Sequence, residues 1–391
     1  MPCLITEKTF YQFLKCPTWV YFGVHGDEEK TVEPLMQQLM DDGLIADRQK
    51  ELLKNKEDLA EVTAEDLDDA FVQTVEFMRE GRQTIYRGVL IDKHTVGHPD
   101  VLEKVQGQSK FGDYYYVAAD FKRASDLRDE YKFQGCFYAE LLKKIQKAKP
   151  VQGYVIKPDN TVLPYSIEQF EVEYRLTLDE IERIVAGDEP PHFLTSGCKQ
   201  SPWFSECHGL SESCQDLSLL NRVWREEVVS LNQAGVKTVA DLASKSVSDL
   251  ERLVPHIDQY RLETMRDKAV ALRDNKFVIK EKIDLPKSKV ELFFDIESDP
   301  MRDFDYLFGV LVVGEGKEEY HSFMATSEDG QEETWQDFVK FIEAHHDAPI
   351  YHYGDFENHV VNRFADKFGV SDIARQAFDS NMIDLIYIMR P

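Results

Sequence analysis

The chain has 391 residues, 42% hydrophobic and 30% charged, with a formal charge of −26. This length exceeds one ordinary core and suits two or three domains, and the composition is that of a soluble globular protein rather than a disordered one. It excludes a uniformly basic nucleic-acid binder. No apolar run reaches the ~20 residues that span a bilayer, and MPCLITEKTFYQFLKCP lacks the start of a secretory signal, so a cytoplasmic protein with no membrane association is expected.

Residues 1–80 read as helical and irregular, with Thr63 as a helix N-cap, Leu67, Phe71, Val75 and Met78 at helical spacing, and Gly81 as the stop. TIYRGVLID, VLEKV and YYYVAADFK follow as three strands rich in β-branched and aromatic residues. DEYKFQGCFYAELLKKIQKAKP is an amphipathic helix with Phe133, Phe137 and Leu141 on one face and Pro150 at its end. VQGYVIKPDNTVLPYSI is a hairpin turning at KPDN, and TLDEIERIVAG is a helix. A loop-like stretch with three cysteines precedes short helices over about 217–280, broken at AGVKT. After the linker KIDLPKSK, strands VELFFDIES, FGVLVVG and EYHSFMA, helix TWQDFVKFIEAH, strand PIYHYG and helix FENHVVNRFADKFG form an α/β pattern.

Charge is unevenly spread. Residues 81–150 carry 13 Lys+Arg against 9 Asp+Glu, a balance of +4, and residues 286–391 carry 9 against 22, a balance of −13. The basic band is the place for a nucleic-acid surface; a solvated lysine-rich helix explains it equally well.

Inside that band, GHPDVL puts Asp100 at the start of one strand, and AADFK puts Asp120 and Lys122 at the end of the next. Residues two apart in a strand point the same way, so neighbouring antiparallel strands can gather all three. Two carboxylates suit Mg²⁺ or Mn²⁺, and a lysine adds a point charge for a phosphate. Gln134 and Tyr138, four apart, share a face of the following helix. Tyr114, Tyr115 and Tyr116 read as strand core before they read as base-stacking residues.

GHPDVL, AADFK and QGCFY together resemble the RecB-like nucleases of the PD-(D/E)xK superfamily. The resemblance implies a restriction-endonuclease-like core, Asp100 and Asp120 as metal ligands, Lys122 as catalytic lysine, and Gln134 and Tyr138 as DNA contacts. Where CRISPR-associated relatives carry a metal-binding His, EGRQTIYRG has Tyr86; either another residue, with Glu76 as a candidate, completes the site, or the site is weakened.

Six cysteines in an intracellular chain argue against a disulfide framework and for free thiols or a metal site. Cys16 with Cys198, Cys207 and Cys214 resembles the iron–sulfur staple of several RecB-like nucleases, which implies a 4Fe–4S cluster; zinc is the alternative. His192 and His208 stand near the trio, and Cys3 and Cys136 have no evident role.

LNQAGVKTVADLA resembles a helix-hairpin-helix element, whose turn offers N–H groups to phosphate; a plain helical connector explains it equally well, and the acidic DLASKSVSDLE does not favour DNA contact. FFDIES places Asp295 and Glu297 on one face at a strand end and resembles the first motif of the DnaQ-like, ribonuclease-H-fold exonucleases. YHYGDFENHVVNRF then offers Glu357, with Asp355 nearby, and NMIDLIYI offers Asp384. The resemblance implies two metal ions held by four acids, and a third motif beyond Pro391.

The expected architecture is α/β and multidomain: a nuclease domain with a cysteine cluster over 1–215, a helix-hairpin-helix-like domain over 216–285, and a partial ribonuclease-H-like domain over 286–391. Nearly the whole chain resembles bacterial putative RecB-family nucleases, some of which continue into a helicase. The expected function is metal-dependent DNA hydrolysis, on single strands or duplex ends, in repair or defence. The alternative is a degraded scaffold, or a subunit that needs a helicase or other partner.

Overall fold

The computed structural model describes residues 5–26, 49, 52–54, 56–122, 127–157, 159–280, 282–286, 288–299, 304–314 and 316–389; Cys3 lies outside them. The chain divides into two compact units, residues 1–278 and 279–391.

The first unit runs β1 (Ile5–Thr6), α1 (Glu7–Lys15), α2 (Pro17–His25), β2 (Leu59–Glu61), α3 (Leu67–Glu80), β3 (Thr84–Tyr86), β4 (Leu90–Asp92), β5 (Thr95–Gly97), β6 (Val101–Ser109), β7 (Gly112–Phe121), α4 (Asp129–Gln146), β8 (Gln152–Ile156), β9 (Val162–Ser166), α5 (Glu171–Ala186) and α6 (Phe204–Cys214). Three short helices and a longer one follow: α7 (Arg225–Gln233), α8 (Val239–Ser244), α9 (Val247–Leu253) and α10 (Gln259–Asp274). The main sheet has the order β2-β3-β6-β7-β8-β9, and a small one has the order β1-β5-β4. β7 and β8 are parallel, and α4 is the crossover between them. Phe10, Met78, Phe137, Leu142 and Tyr174 lie in one core. These four helices bury their own cluster around Leu231, Leu242 and Leu262.

Three local expectations change. The helix after Glu61 starts at Asp66 rather than Thr63, because the Asp66 carboxylate accepts the N–H groups of Asp68 and Asp69 while Gln73 takes those of Thr63 and Ala64. TIYRGVLID is two strands, not one: Arg87 adopts φ 57° and turns the chain between β3 and β4. The cysteine-rich stretch is not a loop; it forms a 3₁₀ turn over Ser196–Gln200 and then α6.

The second unit runs β10 (Val290–Asp299), β11 (Phe304–Gly314), β12 (Lys317–Met324), α11 (Gln331–Ala344), β13 (Ile350–His352), α12 (Phe356–Phe368), α13 (Asp372–Asn381), β14 (Met382–Asp384) and α14 (Leu385–Met389). Its sheet has the order β12-β11-β10-β13-β14, with the first three strands antiparallel and β13 and β14 parallel to β10. Phe294 and Phe308 stack on Phe338 from α11 beneath the sheet. Helix α13 and strand β14 were not anticipated; the apolar positions of IARQAFDSNMID are too few to separate a short helix from a buried edge strand.

Candidate active sites

The antiparallel register pairs Val101 with Ala119, so Asp100 and Asp120 stand opposite each other where β6 begins and β7 ends. The backbone locks both acids. Asp100 N–H donates to Asp120 Oδ1 at 3.0 Å, and Phe121 N–H donates to Asp100 Oδ2 at 2.8 Å. Lys122 Nζ donates to Asp120 Oδ2 at 3.1 Å and to Gln134 Oε1 at 2.8 Å. Gln134 and Tyr138 face inward from the first half of α4, and the Tyr138 hydroxyl donates to His98 C=O at 3.4 Å. The structure therefore gathers all five residues that the sequence singles out here.

Electrostatics follows from burial. Desolvation works against the Lys122 ammonium, but the Asp120 and Asp100 charges outweigh it and raise its pKa. Burial, followed by the charges of Asp120, Glu7 and Asp100 and a hydrogen bond with Asp120, keeps Tyr138 protonated far above the usual phenol range.

Glu7 in that set is a residue sequence reasoning missed. It is 7% exposed at the start of α1. Its carboxylate accepts the His98 backbone N–H at 3.2 Å and lies 3.3 Å from His98 Nδ1. Burial opposes its charge, and the hydrogen bond and charge of His98 overcome this and lower its pKa. No spacing rule joins residues 91 apart; a lone acid opening an apolar-faced helix was the only sign. Glu76 is exposed on α3, outside the site, whereas Tyr86 is buried, donates to Gln49 Oε1 at 2.8 Å and feels the Asp100 charge.

Lys122 brings one charge of the basic band to these acids, but the band's lysine cluster at the end of α4 stands away from them. Gln134 is near the start of α4 and Lys143, Lys144 and Lys147 are at its end, roughly 14–20 Å away along the axis. Several of its cations are paired: Lys144 with Asp92 at 2.6 Å, and Lys149 with Glu140 at 3.0 Å and Glu171 at 2.9 Å. Tyr116 is core, with its hydroxyl on Arg82 C=O, and Tyr114 donates to Met78 C=O; neither ring is offered for stacking.

Cys16, Cys198 and Cys207 are buried and interact: the Cys16 and Cys198 sulfurs share a hydrogen bond, and both feel Cys207 or are felt by it. That bond and the Thr195 hydroxyl and N–H lower the Cys198 pKa against burial. Cys214 does not join them. It is exposed at the end of α6 and its Sγ reaches Ser211 C=O at 3.6 Å. His208 turns to Glu212 and His192 to Ser211 Oγ. A four-cysteine cluster therefore does not fit this donor set, because the last turn of α6 carries Cys214 outward. Cys136 is a core thiol, its pKa raised to about 12 by burial.

In the second unit β10, β13 and β14 are parallel, and their carboxyl ends bring acids together at one edge, where open α/β sheets bind ligands. Asp295 and Glu297 lie on the face opposite buried Phe294 and Ile296. Glu357, in the first turn of α12, comes within hydrogen-bonding reach of Asp295. Its pKa is raised by burial, with the Asp295 charge adding to the rise. Asp384 ends β14 opposite His352; its Oδ1 accepts Gly354 N–H at 2.9 Å and Ile386 N–H at 2.8 Å. Glu357 Oε2 and Asp384 Oδ2 are buried without a hydrogen-bond partner. Glu297 is exposed, and Asp355 is exposed and pairs with His359.

Among the described residues no group of three or more His, Cys, Asp or Glu side chains is arranged as a finished metal site. Mg²⁺ does not require one: it keeps several waters and takes one or two carboxylates plus substrate phosphate. The Asp100–Asp120 and Asp295–Glu357 pairs fit that donor chemistry, the second with Glu357 Oε2 lacking a hydrogen bond and Asp384 Oδ2 lacking one at the end of β14.

A family model described as RNase_H superfamily matches residues 292–391, which supports a ribonuclease-H-like nuclease domain in the second unit. A comparison with curated proteins returns no match. No helix among the described residues is long and apolar enough to cross a membrane.

Proposed function

We propose that the chain is a metal-dependent nuclease that hydrolyses DNA phosphodiester bonds, with a carboxylate centre in each unit. The observation that carries this reading is the meeting of Asp295 on β10 and Glu357 on α12, with Glu357 Oε2 buried, without a hydrogen bond and 3.6 Å from His352 Nδ1, inside the stretch that matches the nuclease superfamily. In the first unit the support is Lys122 bridging Asp120 and Gln134 beside Asp100. This is the arrangement that the RecB-like resemblance implies.

Asp100 and Asp120 would hold Mg²⁺ or Mn²⁺ in the first unit, and Asp295, Glu357 and Asp384 in the second. A bound divalent ion supplies Lewis-acid polarisation of the phosphate and a nucleophilic hydroxide. The protein does the rest. Lys122 brings a fixed positive charge to the phosphate, Gln134 keeps that amine aimed, and backbone N–H groups hold both aspartates in one rotamer before substrate arrives. Single strands and duplex ends suit a site at the open end of a sheet. The cysteine trio, which lacks the fourth thiolate of a cluster, has a structural part in this reading.

The test is cleavage of labelled single-stranded and duplex DNA with Mn²⁺ by the wild-type chain and by Asp120→Ala, Lys122→Ala and Asp295→Ala. Loss with the first two assigns the chemistry to the first unit, and loss with the third assigns it to the second. Binding without cleavage by the wild-type chain would instead establish a scaffold, or a subunit needing a partner such as a helicase.

A further inference from the structure

Glu7 poses a problem that the hydrolytic reading leaves open. A carboxylate that is 7% exposed is costly unless charge or hydrogen bonds compensate it. Apart from a hydrogen bond with its own backbone N–H, its compensation comes from one residue, 91 positions away. The carboxylate takes the His98 backbone N–H through Oε2 at 3.2 Å, and its two oxygens lie 3.3 and 3.4 Å from His98 Nδ1. His98 opens the His-Pro-Asp turn between β5 and β6, and that turn carries Asp100. The same residue's carbonyl receives the Tyr138 hydroxyl. Glu7 thus grips the near end of the segment that sets where Asp100 stands, and it does so from a helix outside the main sheet.

The ring geometry adds a second consequence. A carboxylate on Nδ1 makes that nitrogen the donor and fixes the imidazole plane, as outer-shell carboxylates do for histidines around metal ions. The His98 side chain is 46% exposed, so its other edge is not buried against the core.

We infer that Glu7 is a positioning residue of the first-unit centre, acting through His98 to hold Asp100 in place for a divalent cation. The inference rests on the proposed hydrolytic role of Asp100 and Asp120. Packing alone would not explain a buried charge here, since an apolar side chain would fill the same space without desolvation.

The experiment uses the full chain carrying Asp295→Asn, so that Mn²⁺ bound by the second unit does not mask the first. Mn²⁺ binding is read from the free-ion electron paramagnetic resonance signal, and folding from circular dichroism. Glu7→Gln keeps an oxygen acceptor for the His98 N–H but loses the charge; Glu7→Ala loses both. Losses of outer-shell partners reduce metal affinity by about 10–100-fold. The expected result is a fall of that order for Glu7→Ala, a smaller fall for Glu7→Gln, and retained folding for Glu7→Gln. His98→Ala should reproduce the Glu7→Gln loss, and the double variant should be no worse than either single one, because the two act as a unit. Affinities within twofold of the parent for both Glu7 variants, or losses that simply add with His98→Ala, would overturn the inference while leaving the hydrolytic reading intact. Asp120→Asn that leaves Mn²⁺ affinity unchanged would remove that reading, and the inference with it.

Discussion

Lys122 is charged in a place that disfavours charge, and two aspartates prevent its neutralisation. Replacing it with Met keeps most of its length and removes the amine. A preorganised group that acts on developing charge contributes on the order of 10²–10³ in rate, so Lys122→Met should slow first-unit cleavage by that order while Mn²⁺ binding survives; a kinetic assay paired with metal titration checks both. Glu357 gives a pH prediction. Its pKa in the fold lies above the usual carboxyl value of 4.5, so the folded state binds more protons than the unfolded one in the window above 4.5. The stability it contributes is present below that value and is lost as pH rises through its folded pKa. Glu357→Gln should flatten this fall. Mg²⁺, which favours the ionised carboxyl, should stabilise the second unit more at neutral than at acid pH, as read by thermal melts with and without the ion. Cys198, its pKa lowered by Cys16 and Thr195, should show thiolate absorbance near neutral pH that disappears in Cys198→Ser.

At the scale of elements, α4 holds the first-unit site, and its seat depends on missing side chains. A Cβ at Gly135 would fall 1.8 Å from Tyr165 Oη, and one at Gly153 2.4 Å from Tyr165 Cζ. Tyr165 occupies this slot and donates to Tyr131 C=O at 3.0 Å. Gly135→Ala must expel the ring, costing about 1–3 kcal/mol as overpacking, and chemical denaturation should register it; paired with Tyr165→Phe, which removes the hydroxyl in the way, much of the loss should return. These elements also show what a sequence discloses. The strands that carry Asp100 and Asp120 and the helix that carries Gln134 and Tyr138 were legible because their periods are local and their ends are marked by turn residues. Glu7, the Asp295–Glu357 meeting and the outward turn of Cys214 were not, because each depends on where separate elements dock. The basic band shows the same limit: counting lysines located the charge, but only the fold shows that its lysine cluster, Lys143, Lys144 and Lys147, stands at the end of α4 away from Gln134, and that Lys144 and Lys149 are paired with acids.

For the whole molecule, a charge of −26 repels a polyanion. Binding of nucleic acid by either acidic centre must therefore be coupled to the cation that neutralises it, and DNA affinity should rise when Mn²⁺ is added under non-cleaving conditions, as anisotropy would report. The central claim is that hydrolysis resides in the two carboxylate centres. Its most direct measurement is Mn²⁺-dependent degradation of end-labelled single-stranded DNA by the wild-type chain beside the double variant Asp120→Ala/Asp295→Ala. Product from the wild-type chain and none from the folded double variant is the predicted result. Equal degradation by both, or intact DNA with the folded wild-type chain, would contradict it.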